Sequence, residues 1–70
     1  MQERELKAAM VLHGDTIQTL AEALSISQST MCAKLKGQRD FWRSEIDTIR
    51  DRYQLTPEDV DRIFFADEVS

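Results

Sequence analysis

The residues best equipped to recognise a chemical partner in this chain lie between Gln28 and Arg43. On a helical pattern running from about Gln28 to Lys36, Met31 and Leu35 repeat at i,i+4 on one face. Gln28, Ser29, Cys32, Ala33 and Lys36 fall on the other. An outward face of amide, hydroxyl and small side chains, rather than Glu and Lys, can lie against base edges in a major groove. A Gln amide at position 28 offers adenine both a donor and an acceptor. Ser29 and Thr30 carry hydroxyls for bases or phosphates, or serve only as residues of the helix start. Cys32 and Ala33 either touch a thymine methyl or simply let the helix sit close.

Charge distribution supports the same chemistry. The net charge of −4 by itself opposes nucleic acid, since phosphate affinity needs Lys and Arg. Between Gln28 and Arg43, however, stand Lys34, Lys36, Arg39 and Arg43 against Asp40 alone. From Gln54 onward Arg62 faces Glu58, Asp59, Asp61, Asp67 and Glu68. Such an asymmetry would turn one pole toward phosphate and keep the other away. Lys34, Lys36, Arg39 and Arg43 are therefore expected to contact phosphate.

Other chemistries find little support. His13 has no second histidine to complete a metal set, and belongs at a helix C-terminus, where positive charge is favoured. Cys32 is the single cysteine. It excludes an intrachain disulfide and reads as an ordinary small side chain rather than a redox switch. Of the adjacent Phe41 and Trp42, one is expected to plug the core and the other to shield its edge. The carboxylates near the end form a solvated acidic face, because a domain this small offers no cleft in which to shift a pKa. No catalytic residue, cofactor or metal is expected. With no secretory leader and no long apolar run, a soluble cytoplasmic protein is expected.

Seventy residues make one small domain that buries only about 60% of its unfolded surface, so dimerisation would help it. Five short helices with brief connections are expected: about Glu3 to His13, Ile17 to Leu24, Gln28 to Lys36, Arg43 to Tyr53, and one opening at Thr56-Pro57. Leu6, Ala9 and Met10 face inward on the first, Leu20 and Leu24 on the second, and Ile46, Ile49 and Tyr53 on the fourth. Val60, Ile63 and Phe64 do so on the fifth. Gly14 closes the first helix through positive φ. Asp15 or Thr16 caps the second and Ser27 the third. Thr56, Pro57 and Asp59 form an N-cap with a reciprocal contact. The fold class is all-α, with a helix-turn-helix over about 16–37 in a single domain, 1–70, ending in a short acidic tail.

With LAEALSISQST, the SEI that opens the fourth helix and LTPEDVDRIFF in place, the chain resembles the lambda-repressor/Cro (XRE-type) DNA-binding domain over about Leu6 to Ala66. It looks nearest to the short phage and prophage regulators of Gram-positive bacteria. The resemblance implies base contacts from Gln28, Ser29, Cys32 and Ala33. It implies phosphate contacts from the start of the second helix, with Gln18, and from the stretch Lys36 to Arg43. Three positions depart from the family pattern. Ile17 stands where a phosphate-binding Gln is usual, Ser25 replaces the turn glycine, and Lys34 occupies a usually apolar site whose core role passes to Leu35.

The expected function is sequence-specific binding of double-stranded DNA by a homodimer on a short inverted repeat, as a repressor or Cro-like transcriptional regulator. The alternative is a protein-binding antirepressor or accessory module on the same fold, whose partner would be another phage regulator. No membrane contact is expected.

Overall fold

The computed structural model describes residues 3–65, and the expected acidic tail with Asp67 and Glu68 lies outside the described residues. The fold is all-α: α1 (Glu3–Leu12), α2 (Ile17–Leu24), α3 (Gln28–Leu35), α4 (Arg43–Tyr53) and α5 (Pro57–Val60). α5 runs on into a wider π-helical turn, Asp61–Phe65, and no strand occurs among the described residues. Two helices end slightly earlier than the apolar spacing suggests. α1 stops at Leu12 rather than His13, and α3 at Leu35 rather than Lys36, each one residue before its helix gives way to a left-handed turn.

That turn recurs. Gly14 (φ 73°), Ser25 (φ 58°), Gly37 (φ 81°) and Gln54 (φ 52°) are all left-handed, and each closes the helix before it. The next amide reaches back five residues in every case: Asp15 to Met10 (2.8 Å), Ile26 to Ala21 (3.0 Å), Gln38 to Ala33 (2.9 Å) and Leu55 to Arg50 (2.9 Å). This is the Schellman closure, which satisfies carbonyls otherwise orphaned at a helix end. After Ser25 and Gln54 the following residue is apolar, and both Ile26 and Leu55 pack against the core, as the motif's hydrophobic contact requires.

The helix starts are held by side chains. Thr16, Ser27 and Thr56 each accept from the amide three residues on, at 3.2, 3.1 and 3.1 Å. Thr56 receives a reciprocal acceptor from Asp59 (3.2 Å), the expected box around Pro57. Arg62 then bonds both Asp59 and Glu5, at 2.8 Å each, tying the final turn to α1.

The core consists of Leu6, Met10, Leu20, Ala21, Met31, Leu35, Ile46, Ile49, Tyr53, Ile63 and Phe64. Every helix contributes to it except α5 proper, whose Val60 only packs at its edge. Ala21 is wholly buried, in α2, the helix on which α3 mainly packs. A residue without atoms beyond Cβ lets two helices come close at such a crossing. Phe41 lies edge-on to Phe64, centroids 5.5 Å apart, and packs half-buried against the core, while Trp42 stays largely exposed; the two aromatics divide, but neither is buried in the core as a plug.

Glycine at positions 25 and 54 relieves a left-handed conformation that costs an ordinary residue about 1 kcal/mol, less the entropy the unfolded chain gains. Ser25→Gly and Gln54→Gly should each raise the thermal midpoint by about 2–4 °C. A lower midpoint would show that the lost side chain matters more than the relieved backbone.

Candidate nucleic-acid interface

α3 is the element that carries the candidate site. Ser27 precedes it with extended backbone (φ −73°, ψ 160°) and fixes its first turn. The Ser27 hydroxyl accepts from Thr30 N–H and donates to Thr30 Oγ1 at 2.9 Å, with Ser29 Oγ at 3.3 Å. Thr30 is therefore half-buried and engaged in the cap, whereas Gln28 and Ser29 stand in solvent at the leading edge. Cys32 and Ala33, one turn later, are half-buried on the flank of the helix. Met31 and Leu35 hold the opposite face in the core.

Of the four expected phosphate cations, one is overturned. Lys34 has a side chain only 3% exposed and is paired with Glu45, itself 9% exposed, at 2.6 Å. Its ammonium also donates to the Asp40 carbonyl (3.1 Å) and sits 5.8 and 5.4 Å from the ring centres of Phe41 and Trp42. Position 34 is three residues beyond Met31, so it shares the inward face, and Leu35 does not replace it there: both are buried. Lys34 is unavailable to phosphate. Lys36, Arg39 and Arg43 are exposed, and Arg43 leans toward Asp47 at 3.5 Å.

Arg39 and Trp42 share a shallow cleft of ≈ 440 Å³ with Ser25, Ser27, Thr30 and Ser44. The loop after α3 is thereby brought against the turn that precedes it. Lys36 and Arg39 also edge a second groove, of ≈ 680 Å³, floored by Phe41, Ile46 and Phe64. Around the exposed start of α3 the molecule thus presents hydroxyls, an exposed indole and a guanidinium. These are hydrogen-bond donors and positive charge suited to an anionic, hydrogen-bonding surface. On α2, Gln18 is exposed. Ile17 turns inward and packs on the core, which accounts for an apolar residue at that position.

The start of α2 is held by a cluster that the sequence pattern did not disclose. Asp15, with a side chain 5% exposed, accepts from Arg52 Nε (2.8 Å) and Nη2 (2.7 Å), from Tyr53 OH (2.5 Å) and from Thr19 OH (2.7 Å). These bonds, led by those from Arg52, hold its carboxyl far below the usual carboxylate range against the opposing effect of burial. Burial first, then the Asp15 carboxylate, push the Tyr53 phenol above its ordinary value. His13 stacks flat on Tyr53, rings 4.6 Å apart and 6° from parallel. The only local hint was an Asp between a helix-ending Gly and a capping Thr; its partners lie 37 and 38 residues away.

Elsewhere α1 exposes Val11 (78%) and Leu12 (81%), an apolar pair beside Lys7 and Arg4. Among the described residues no group of three His, Cys, Asp or Glu could hold a metal ion, and no helix is long and apolar enough to cross a membrane. Comparison with family models, with curated proteins and with solved structures gives no match to the chain.

Asp15 makes a pH-dependent contribution whose sign is fixed by its lowered folded value. That stability is present in full above the unfolded carboxylate range, near 3.9, and is lost as pH falls toward the folded value. Asp15→Asn should cost about 2–3 kcal/mol at pH 7, the scale of hydrogen bonds to a charged group. Denaturant titrations at pH 7, 5 and 3 should show that deficit narrowing at the lowest pH. A deficit independent of pH would mean that the charge of Asp15 is not what Arg52 and Tyr53 hold.

Proposed function

We propose that this protein is a sequence-specific double-stranded DNA-binding regulator of the lambda-repressor/Cro (XRE) type, with α3 entering the major groove. The observation that carries this reading is the leading edge of α3. Gln28 and Ser29 project into solvent past a capped, anchored helix start, with the exposed loop cations following. An eight-residue helix spans about 12 Å, enough for about three to four base pairs at 3.4 Å each. So short a reading frame discriminates poorly alone. Two copies on an inverted repeat would roughly double the free-energy difference between right and wrong sites. Occupancy of a promoter would then compete with polymerase. A phage or prophage setting and a cytoplasmic location belong to this same reading.

Within it, Gln28 pairs bidentately with an adenine, Ser29 supplements it, and Cys32 and Ala33 allow close approach along the flank. Gln18, Lys36, Arg39 and Arg43 fix the register through phosphate, with Thr30 at the helix start. The burial of Lys34 leaves fewer phosphate cations than its charge suggested, so the salt dependence should be shallow.

A second reading rests on a different observation. Val11 and Leu12, exposed side by side on α1, suit a protein partner, and the acidic net charge and inward Ile17 favour that alternative. Titration of a random-sequence duplex at low salt separates the two: a DNA binder shows salt-dependent affinity, a protein-binding module none.

Gln28→Ala should lose about 1–3 kcal/mol on the operator selected from random duplexes, and should relax preference at one base pair per half-site. Nonspecific affinity should stay unchanged. Equal affinity and selectivity in the variant would transfer the reading role away from α3. Lys36→Ala and Arg43→Ala should each weaken binding on all sequences alike and flatten the slope of log K against log salt by about 0.9. An unaltered slope would place the residue outside the interface.

A further inference from the structure

The buried charge at the end of α3 is not explained by stability. Replacing a buried ion pair with apolar side chains of similar volume is often neutral or stabilising, because desolvation offsets the attraction. A methionine would fill position 34 with nearly the same shape. A lysine there adds direction. Its ammonium makes hydrogen bonds of 2.6 Å to Glu45 Oε1 and 3.1 Å to the Asp40 carbonyl, and no buried side-chain polar atom among the described residues is left unpaired. The same Glu45 oxygen accepts from Trp42 N–H at 2.8 Å. The Lys34 ammonium and the Glu45 oxygen together therefore hold the end of α3, the loop after it and the start of α4.

The opposite end of the helix-turn-helix is pinned just as directionally. Asp15, immediately before the Thr16 cap of α2, is bonded to Arg52 and Tyr53 at the far end of α4. α4 is thus a strut fastened at both ends to the unit that carries Gln28. Lys34 stands six residues beyond Gln28, about 9 Å along the helix. A tilt of about 10° over that lever would move the reading end by about 1.5 Å, beyond the tolerance of a two-point hydrogen bond.

Resting on the DNA-reading assignment above, we propose that Lys34 and Glu45 are positioning residues whose buried pair sets the angle at which α3 presents Gln28 and Ser29. The pair governs discrimination between base sequences rather than overall affinity or fold stability. Apolar contacts at this point would hold the helix as firmly but permit several angles.

The test is the double substitution Lys34→Met/Glu45→Gln. Met keeps the length of the side chain without its charge, and Gln keeps an oxygen for Trp42 N–H. The variant should melt cooperatively within a few degrees of the wild type. Its amide NMR spectrum, recorded without DNA, should show doubled or broadened peaks concentrated in α3 and the loop after it, about residues 28–43. The ratio of operator to scrambled-duplex affinity should fall about tenfold or more, the scale of one lost base contact, with the salt slope unchanged. A variant that no longer folds cooperatively would show a stabilising role and overturn the proposal. So would a wild-type-like spectrum, or a wild-type affinity ratio. Should the wild type bind no duplex at all, the DNA reading fails by itself. The NMR comparison then decides alone whether the pair fixes the orientation of α3.

Discussion

Among the described residues no helix exceeds eleven residues, and helices shorter than about 12–15 residues are marginal in water on their own. Every element therefore depends on how its ends are closed and on what its apolar face meets. Hydroxyl caps at Thr16, Ser27 and Thr56 meet the first need at the start of α2, α3 and α5, and four left-handed closures meet it at the ends of α1 to α4. Each closure also turns the chain sharply away from its helix axis at a single left-handed residue. Four such turns bring the helices around a core of eleven side chains.

On this tightly turned frame, polar pins do what packing alone does not. The core is made of flexible and rounded side chains, Leu, Met and Ile for the most part, which fill space without specifying a direction. The Asp15 cluster and the Lys34–Glu45 pair supply direction at the two ends of the α2–α3 unit, and both fasten it to α4. Their environments differ in a way that matters. Asp15 gathers four donors and keeps its charge by hydrogen bonding, so its contribution is tied to pH. Glu45 shares a single oxygen between an ammonium and a backbone amide, and two aromatic rings flank the ammonium.

The same two pins alter the electrostatic picture of the surface. Drawing Lys34 inward leaves Lys36, Arg39 and Arg43 as the exposed cations around α3 and its loop, in a chain of net charge −4. Affinity for any polyanion must then lean on hydrogen bonding and shape more than on bulk attraction. The exposed Val11 and Leu12 lie on another element, α1, so a protein contact there would not use the leading edge of α3.

The sequence by itself determined which segments are helical and where they begin. The signals are local: a hydroxyl three residues before the amide it caps, a Pro at the first helical position, apolar residues spaced three and four apart. The bounds of α2 and α4 and the inward faces of α1, α4 and the final turn were legible for that reason. So was the exposure of Gln28 and Ser29, since they follow a cap and face away from Met31. The tertiary structure alone decided the fate of the charged residues. Lys34 and Arg39 look alike in a list of cations. Only the arrival of Glu45, eleven residues on, and of the Asp40 carbonyl makes burial of the first affordable. Asp15 looked like a spare cap until Arg52 and Tyr53 met it across the fold. Left-handed Ser25 was expected from the resemblance, but left-handed Gln54 was not, because nothing in a glutamine prefers that conformation. Periodicity and capping act within one turn of helix, whereas the partner of a charge is chosen by how distant helices pack.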